Sequence, residues 1–350
     1  MIAAFFVWTF SVASAPAEGL RIATYNTELQ RKGPGLLLRD ILRGEDPQIA
    51  AVIAVLTEVA PDIVALQSFD YDLTGQALNA FADLLAASGV TYPYRFAARP
   101  NTGMMTNLDL DGNNRRAEPR DAQGYGRFSG QGGMAILSRY PIVEDQVQDF
   151  SALLWRDFPD ALLPEVDGAP FPSEEARAIQ RLSTTGHWIV PVEVPDMGTV
   201  NLMTFHASPP VFDGPEDRNG RRNHDEITLW QRVLDGRIGS APPDRFILLG
   251  DFNQDPNGGE GLKQAIRGIL SDPRLQDPAP TSEGSTEVTG DPFDTADWDD
   301  PVPGNLRVDY VLPSTDWRVL GHGVHWPTGA GGELASRASR HKLVWVDLAR

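Results

Sequence analysis

Residues Phe246 to Pro256 read FILLGDFNQDP. The apolar run Phe246-Ile247-Leu248-Leu249 has the length of one buried strand, and Gly250 is expected to end it so that Asp251 and Asn253 project from the following turn. Alternation places the Asp251 carboxylate and the Asn253 amide on the same side. There the first can accept a water's proton or hold a cation, and the second can donate to an oxyanion. The same letters also describe an ordinary strand closed by an Asp/Asn turn. What separates the two readings is how many other strands in the chain end in the same way.

Several do. Leu20 to Asn26 alternates as a strand and ends at Asn26, with Glu28 two residues on. Pro47 to Val59 has helical spacing at Ile49, Val52, Ile53 and Leu56 and feeds a second strand, Ile63 to Gln67, which suggests an α/β layer. Ser68-Phe69-Asp70-Tyr71-Asp72 leaves that strand, and a helix is expected from Gly75 to Ala87. Gly132 to Pro141 reads as a turn, a buried strand and a proline stop. Gly186 to Val194 and Thr199 to Phe205 read as a hairpin, of which the second strand delivers His206. Asn223 is expected to start a helix, with Glu226 in a capping box, and Leu262 to Leu270 a further helix. Near the end, Asp309 interrupts the apolar run Arg307 to Leu312, where a carboxylate needs a partner. His341, at the start of the last strand, Lys342 to Leu348, is a natural one.

Composition bounds the function. With 41% hydrophobic residues in 350, and no repeat or linker, residues 20–350 are expected to form a single domain. The formal charge of −18, without a basic run, disfavours tight nonspecific binding of nucleic acid and favours a small phosphorylated substrate. The absence of cysteine excludes disulfides and thiolate metal sites. Ile2 to Val12 is a short apolar run followed by Ala13-Ser14-Ala15, the small-residue pattern of a cleavable signal, so residues 1–15 are expected to be removed on export to the periplasm or medium. The run is short for a membrane span, and the mature chain is expected to be a monomer with no transmembrane segment.

The long loops carry candidate ligands of their own. Asn107, Asp109, Asp111 and, after Gly112, Glu118 follow the spacing of a calcium loop, although position one is Asn and no amphipathic helices flank it. A structural Ca2+ there competes with a solvated acidic loop. Residues 149–177 and 281–305 read as further irregular excursions, and the loop after His206 is crowded with Pro, Gly, Asp and Arg.

The order of these strand ends resembles the endonuclease/exonuclease/phosphatase superfamily, through RIATYN (21–26), PDIVALQ (61–67), GDFNQDP (250–256) and VDYVLPS (308–314). The resemblance covers nearly the whole mature chain and is similar to bacterial exported members with long loops. It implies an α/β four-layer sandwich, two facing and mostly antiparallel sheets flanked by helices, with the site at one rim. It also implies phosphoester hydrolysis. Asp251 would position or deprotonate the attacking water, Asn253, Asn26 and His206 would contact phosphoryl oxygens, and His341, oriented by Asp309, would stabilise developing charge. His187, Arg221 and Arg222 are further candidates for phosphate contacts. The resemblance implies Mg2+ or Mn2+, yet two usual metal carboxylates are replaced here, by Ser68 and Arg340. Three readings follow. The metal site is rebuilt from Glu28 with Asp70 or Asp72; or Arg340 takes the cation's place, the exchange changing local charge by about +3; or the chain binds phosphate ligands without turnover. A nuclease is the competing enzymatic reading.

Overall fold

The computed structural model describes residues 19–299 and 302–350, so the proposed signal segment lies outside the described residues. Alternation along the strands sets the architecture. In β1 (Leu20–Asn26), Ile22 points into the layer between two sheets, whereas Ala23 and Tyr25 point out toward helices. Strand β2 (Ile63–Phe69) does the same, with Ile63 and Ala65 inward and Val64 and Leu66 outward. Because both faces are covered, these strands are apolar nearly throughout.

The first sheet also contains β3 (Tyr94–Phe96), β4 (Gly133–Ser138), β12 (Arg318–Val324) and β13 (Val344–Ala349), in the order β12-β13-β1-β2-β4-β3. The second runs β11-β10-β9-β8-β5, from β5 (Gln148–Asp149), β8 (His187–Val194), β9 (Gly198–His206), β10 (Phe246–Asp251) and β11 (Asp309–Pro313). Most pairs are antiparallel; β1 with β2 and β9 with β10 are parallel. A small hairpin, β6 (Glu165–Val166) with β7 (Ala169–Pro170), stands apart.

Helices α1 (Leu36–Arg43), α2 (Pro47–Val59) and α3 (Gln76–Ala87) form the outer core on the first sheet. Pro47 at the first helical position and the Asp46 carboxylate, accepting from the Gln48 and Ile49 amides, fix the start of α2. A short α4 (Glu174–Ile179) lies in the 149–177 excursion and runs just past it. On the second sheet, α5 (Arg218–Leu234) and α6 (Gln264–Leu270) bury Ile227, Trp230, Val233, Ile266 and Ile269 against Met203, Phe205, Leu248 and Leu312. Helix, sheet, sheet, helix is the four-layer sandwich expected.

Local expectations fail where glycine or polar residues mislead. Gly250 does not end its strand: it lies within β10, at φ +148, because a Cβ there would sit 2.1 Å from the Phe205 carbonyl oxygen of β9. Helix α5 begins five residues before Asn223, which puts Glu226 in its middle and not in a capping box. The 281–305 loop contains α7 (Glu283–Thr289), and the glycine-rich segment before Arg340 forms α8 (Gly329–Ala338), which packs on α2. Among the described residues no helix is long and apolar enough to cross a membrane.

Candidate active site

The inward-facing positions become polar toward one rim. Continuing the period of two from Ile22 gives Thr24 and Asn26; from Leu202, Thr204 and His206; from Leu249, Asp251; and from Val311, Asp309. Strand register then assembles these ends. Asp251 pairs with His206 on the parallel β9 and with Asp309 on the antiparallel β11, and β1 packs across from β10 and β11.

Asp251 is the centre. Its Oδ2 accepts from Asn26 Nδ2 at 2.8 Å and lies 3.3 Å from His206 Nε2, 3.4 Å from Asn253 Nδ2 and 3.9 Å from His341 Nε2. Its Oδ1 accepts the backbone N–H of Asn253 at 2.8 Å, and Asn253, at φ +50, completes that turn by donating to the Ala207 carbonyl. The Asp309 carboxylate lies 2.9 Å from His341 Nδ1. Thr295, which the sequence reading missed, donates to the same Asp309 oxygen at 2.9 Å and accepts the Val308 and Asp309 amides. Trp298, also missed, sets its ring edge-on to His341 with centroids 5.2 Å apart. Both come from the 281–305 loop, where no periodicity marks them.

Burial and charge oppose each other here. Desolvation would lower the His341 pKa, but Asp309 and Asp251 outweigh it and raise it to about 9, which keeps the ring charged at neutral pH. Burial raises Asp251, against the pull of His341, and lowers His206 despite Asp251. The site therefore presents one imidazolium, one neutral imidazole and a carboxylate of raised basicity. They face a cavity of about 900 Å³ lined also by Asn26, Asn253, Arg222 and Arg340.

A model of the endonuclease/exonuclease/phosphatase family matches residues 23–341. The chain belongs to that family. A solved endonuclease/exonuclease/phosphatase from Beutenbergia cavernae superposes with TM-score 0.55 at 21% identity, covering 95% of this chain and 71% of that one. A family protein from Bacteroides thetaiotaomicron gives 0.50 at 16%, covering 94% and 97%. The human Nocturnin catalytic domain gives 0.50 at 13%, covering 95% and 94%. At these identities the likeness is one of fold. Among curated protein sequences none matches the chain.

The proposed metal ligands are not brought together. Glu28 lines the cavity at φ +49, but its Oε2 accepts the Arg340 backbone N–H at 2.9 Å and its Oε1 accepts Arg340 Nε at 2.9 Å and Nη2. That pairing lowers the Glu28 pKa although burial alone would raise it. Both Asp70 oxygens accept backbone amides, from Gly132 and Arg31, each at 2.8 Å; burial pushes its pKa to about 6. Asp72 spends its oxygens on Thr74 and on the Gln76 and Ala77 amides at the start of α3. Neither aspartate lines the cavity, and Ser68 offers only a hydroxyl. This donor set does not fit a hard cation that needs several carboxylate oxygens.

Groups that could hold a metal do exist among the described residues: Asp251 with Asp309 and His341, and Asp109 with Asp111 and Asp121. The second differs from the loop expected, because Asp121 and not Glu118 completes it. Glu118 instead accepts from Asn113 and faces Arg115, and Asn107 belongs to neither group. His187 is buried away from the cavity, bonded to Ser183 Oγ and the Glu226 carbonyl, and burial pushes its pKa down to about 3. Arg222 lines the cavity but donates to the carbonyls of Gln123, Arg181, Leu182 and Ser183, so it ties loops together; Arg221 donates to the Glu216 carbonyl.

Proposed function

We propose that the protein is an exported phosphoesterase, acting as a single monomeric domain over residues 20–350 on a small phosphomono- or phosphodiester. The observation that carries this reading is the convergence on Asp251 of Asn26, His206, Asn253 and the Asp309–His341 pair. A water placed beside Asp251 attacks phosphorus in line. Its oxygen bonds to phosphorus, one of its protons passes to Asp251, and the ester P–O bond opposite breaks. The leaving alkoxide takes its proton from solvent. Asn26, Asn253 and His206 supply hydrogen bonds to the phosphoryl oxygens. The His341 imidazolium, fixed by Asp309, meets the charge as it develops.

Family membership implies divalent-cation assistance, and when bound such an ion would polarise the phosphoryl group. Of the residues suggested for it, Glu28 alone reaches the cavity. A structural Ca2+ would be held by Asp109, Asp111 and Asp121, where it would order their loop. The acidic balance of −18 favours a small substrate over a nucleic acid. The test is hydrolysis of a generic phosphomonoester and a generic phosphodiester by the mature chain beside an Asp251→Ala control. Turnover lost in the control supports the reading; no turnover of either ester by folded wild type, with or without Mg2+ or Mn2+, opposes it.

A further inference from the structure

We infer that the Arg340 guanidinium, held by Glu28, stands where a divalent cation would be and supplies positive charge to the phosphoryl group. This rests on the phosphoester reading of the same site. It starts from the misfit described above: one carboxylate, engaged by an arginine, where metal ligation is expected.

Charge balance is the physical ground for the exchange. A dication between two carboxylates is a neutral unit, and so is one guanidinium on one carboxylate. The net charge of the unit beside the phosphate is therefore the same without a metal. A dication entering beside Arg340 would have to approach both the guanidinium and the His341 imidazolium, and the Glu28 oxygens it would need there are already engaged by Arg340.

The pair is built into the scaffold. Ser339 Oγ donates to the Asn26 carbonyl at 2.8 Å, which docks the end of α8 on the end of β1. Gln48 Nε2 lies within hydrogen-bond reach of the Glu28 carbonyl at 3.2 Å and the Ala338 carbonyl at 3.1 Å, so one side chain of α2 ties both partners' backbones. Glu28 holds a left-handed φ of +49, a conformation that persists where its surroundings enforce it. Arg340 uses its backbone N–H, Nε and Nη2 on Glu28; its Nη1 bonds no protein group among the described residues. That leaves a planar donor on the cavity wall, two residues of chain from Asn26 through Glu28, able to meet a phosphoryl oxygen.

Two measurements on the full mature protein test this, and neither depends on turnover. The first is Mn2+ binding followed by electron paramagnetic resonance. We expect wild type and Glu28→Gln to bind the same amount, any ion residing elsewhere, and Ser68→Glu/Arg340→Asp to gain a site. A wild-type Mn2+ site that disappears in Glu28→Gln overturns the inference. The second is calorimetric binding of inorganic phosphate in excess chelator. Wild type is expected to bind, Arg340→Gln about 10- to 100-fold more weakly, the loss of one charge-assisted donor pair, with Arg340→Lys between them. Phosphate binding that requires Mg2+, or that ignores Arg340→Gln, also overturns it. The phosphoester reading fails separately, through loss of ester hydrolysis under all metal conditions while the Mn2+ result stands.

Discussion

Asp309 and His341 meet at 2.9 Å with both side chains buried, and Thr295 fixes the Asp309 oxygen that does it. The relationship has a kinetic consequence. Asp309→Asn removes the charge that opposes desolvation of the ring, so the His341 pKa falls toward or below its ordinary range. Turnover is expected to drop by about 10²-fold or more with KM little changed, because the charged ring acts mainly on the transition state. The alkaline limb of the pH–rate profile should move to lower pH. Unchanged kcat in the variant would remove His341 from the mechanism.

The same pair sets a stability profile. An imidazole whose folded pKa is about 9 binds its proton more tightly in the fold than in the unfolded chain, where it sits near 6.5. Its contribution is complete below pH 6.5 and is lost as pH rises through 9. Urea unfolding of wild type and His341→Gln should therefore give a gap that is constant at acid pH and closes between those values. A gap that widens with pH would contradict the pairing.

What was legible in the sequence follows from period-two alternation. Asn26, His206, Asp251 and Asp309 each continue an inward apolar register, so the residues that converge were readable before their contacts were. Their partners were not. Thr295 and Trp298 come from a loop whose path is set by long-range pairing, Ala296 bridging to both Leu306 and His341. The nearby acids Asp70 and Asp72 were poor guides because proximity in sequence says nothing of where an oxygen is already spent, here on backbone amides. Helix α8 escaped because three glycines in its first turns hide its pattern, and it is α8 that delivers Arg340.

Gly250 offers a test of the scaffold. An alanine Cβ there would meet the Phe205 carbonyl oxygen at 2.1 Å, backbone that cannot swing aside, at a φ of +148 that L side chains disfavour. Gly250→Ala should cost more than about 3 kcal/mol in denaturant unfolding and should displace Asp251 from the end of β9. An alanine variant of wild-type stability would mean that β9 and β10 are not in this register.

Glu226 is buried inside α5, and its two oxygens accept the Thr184 amide at 2.5 Å and the Ser208 amide at 2.6 Å. It thus holds the loop that follows His206 against the entry to β8. Burial pushes its pKa up to about 7 although Arg222 and these amides pull it down. In Glu226→Gln one acceptor becomes an NH2 that must face a backbone N–H, leaving a buried donor unmet at a cost of about 1–3 kcal/mol. A carboxyl raised in the fold binds its proton more tightly there, so its favourable contribution is complete below the unfolded value near 4.5 and declines as pH rises through 7. Glutamine has no such titration, and the stability gap between wild type and variant should narrow over that interval. Because Ser208 lies two residues from His206, kcat should fall by about tenfold as well, an effect that a merely structural cost elsewhere in α5 would not produce. Thermal unfolding across pH, run beside kcat for Glu226→Gln and for Arg232→Gln, which loses the α5 contact to Asp160, separates the two; equal kcat in both would confine Glu226 to stability.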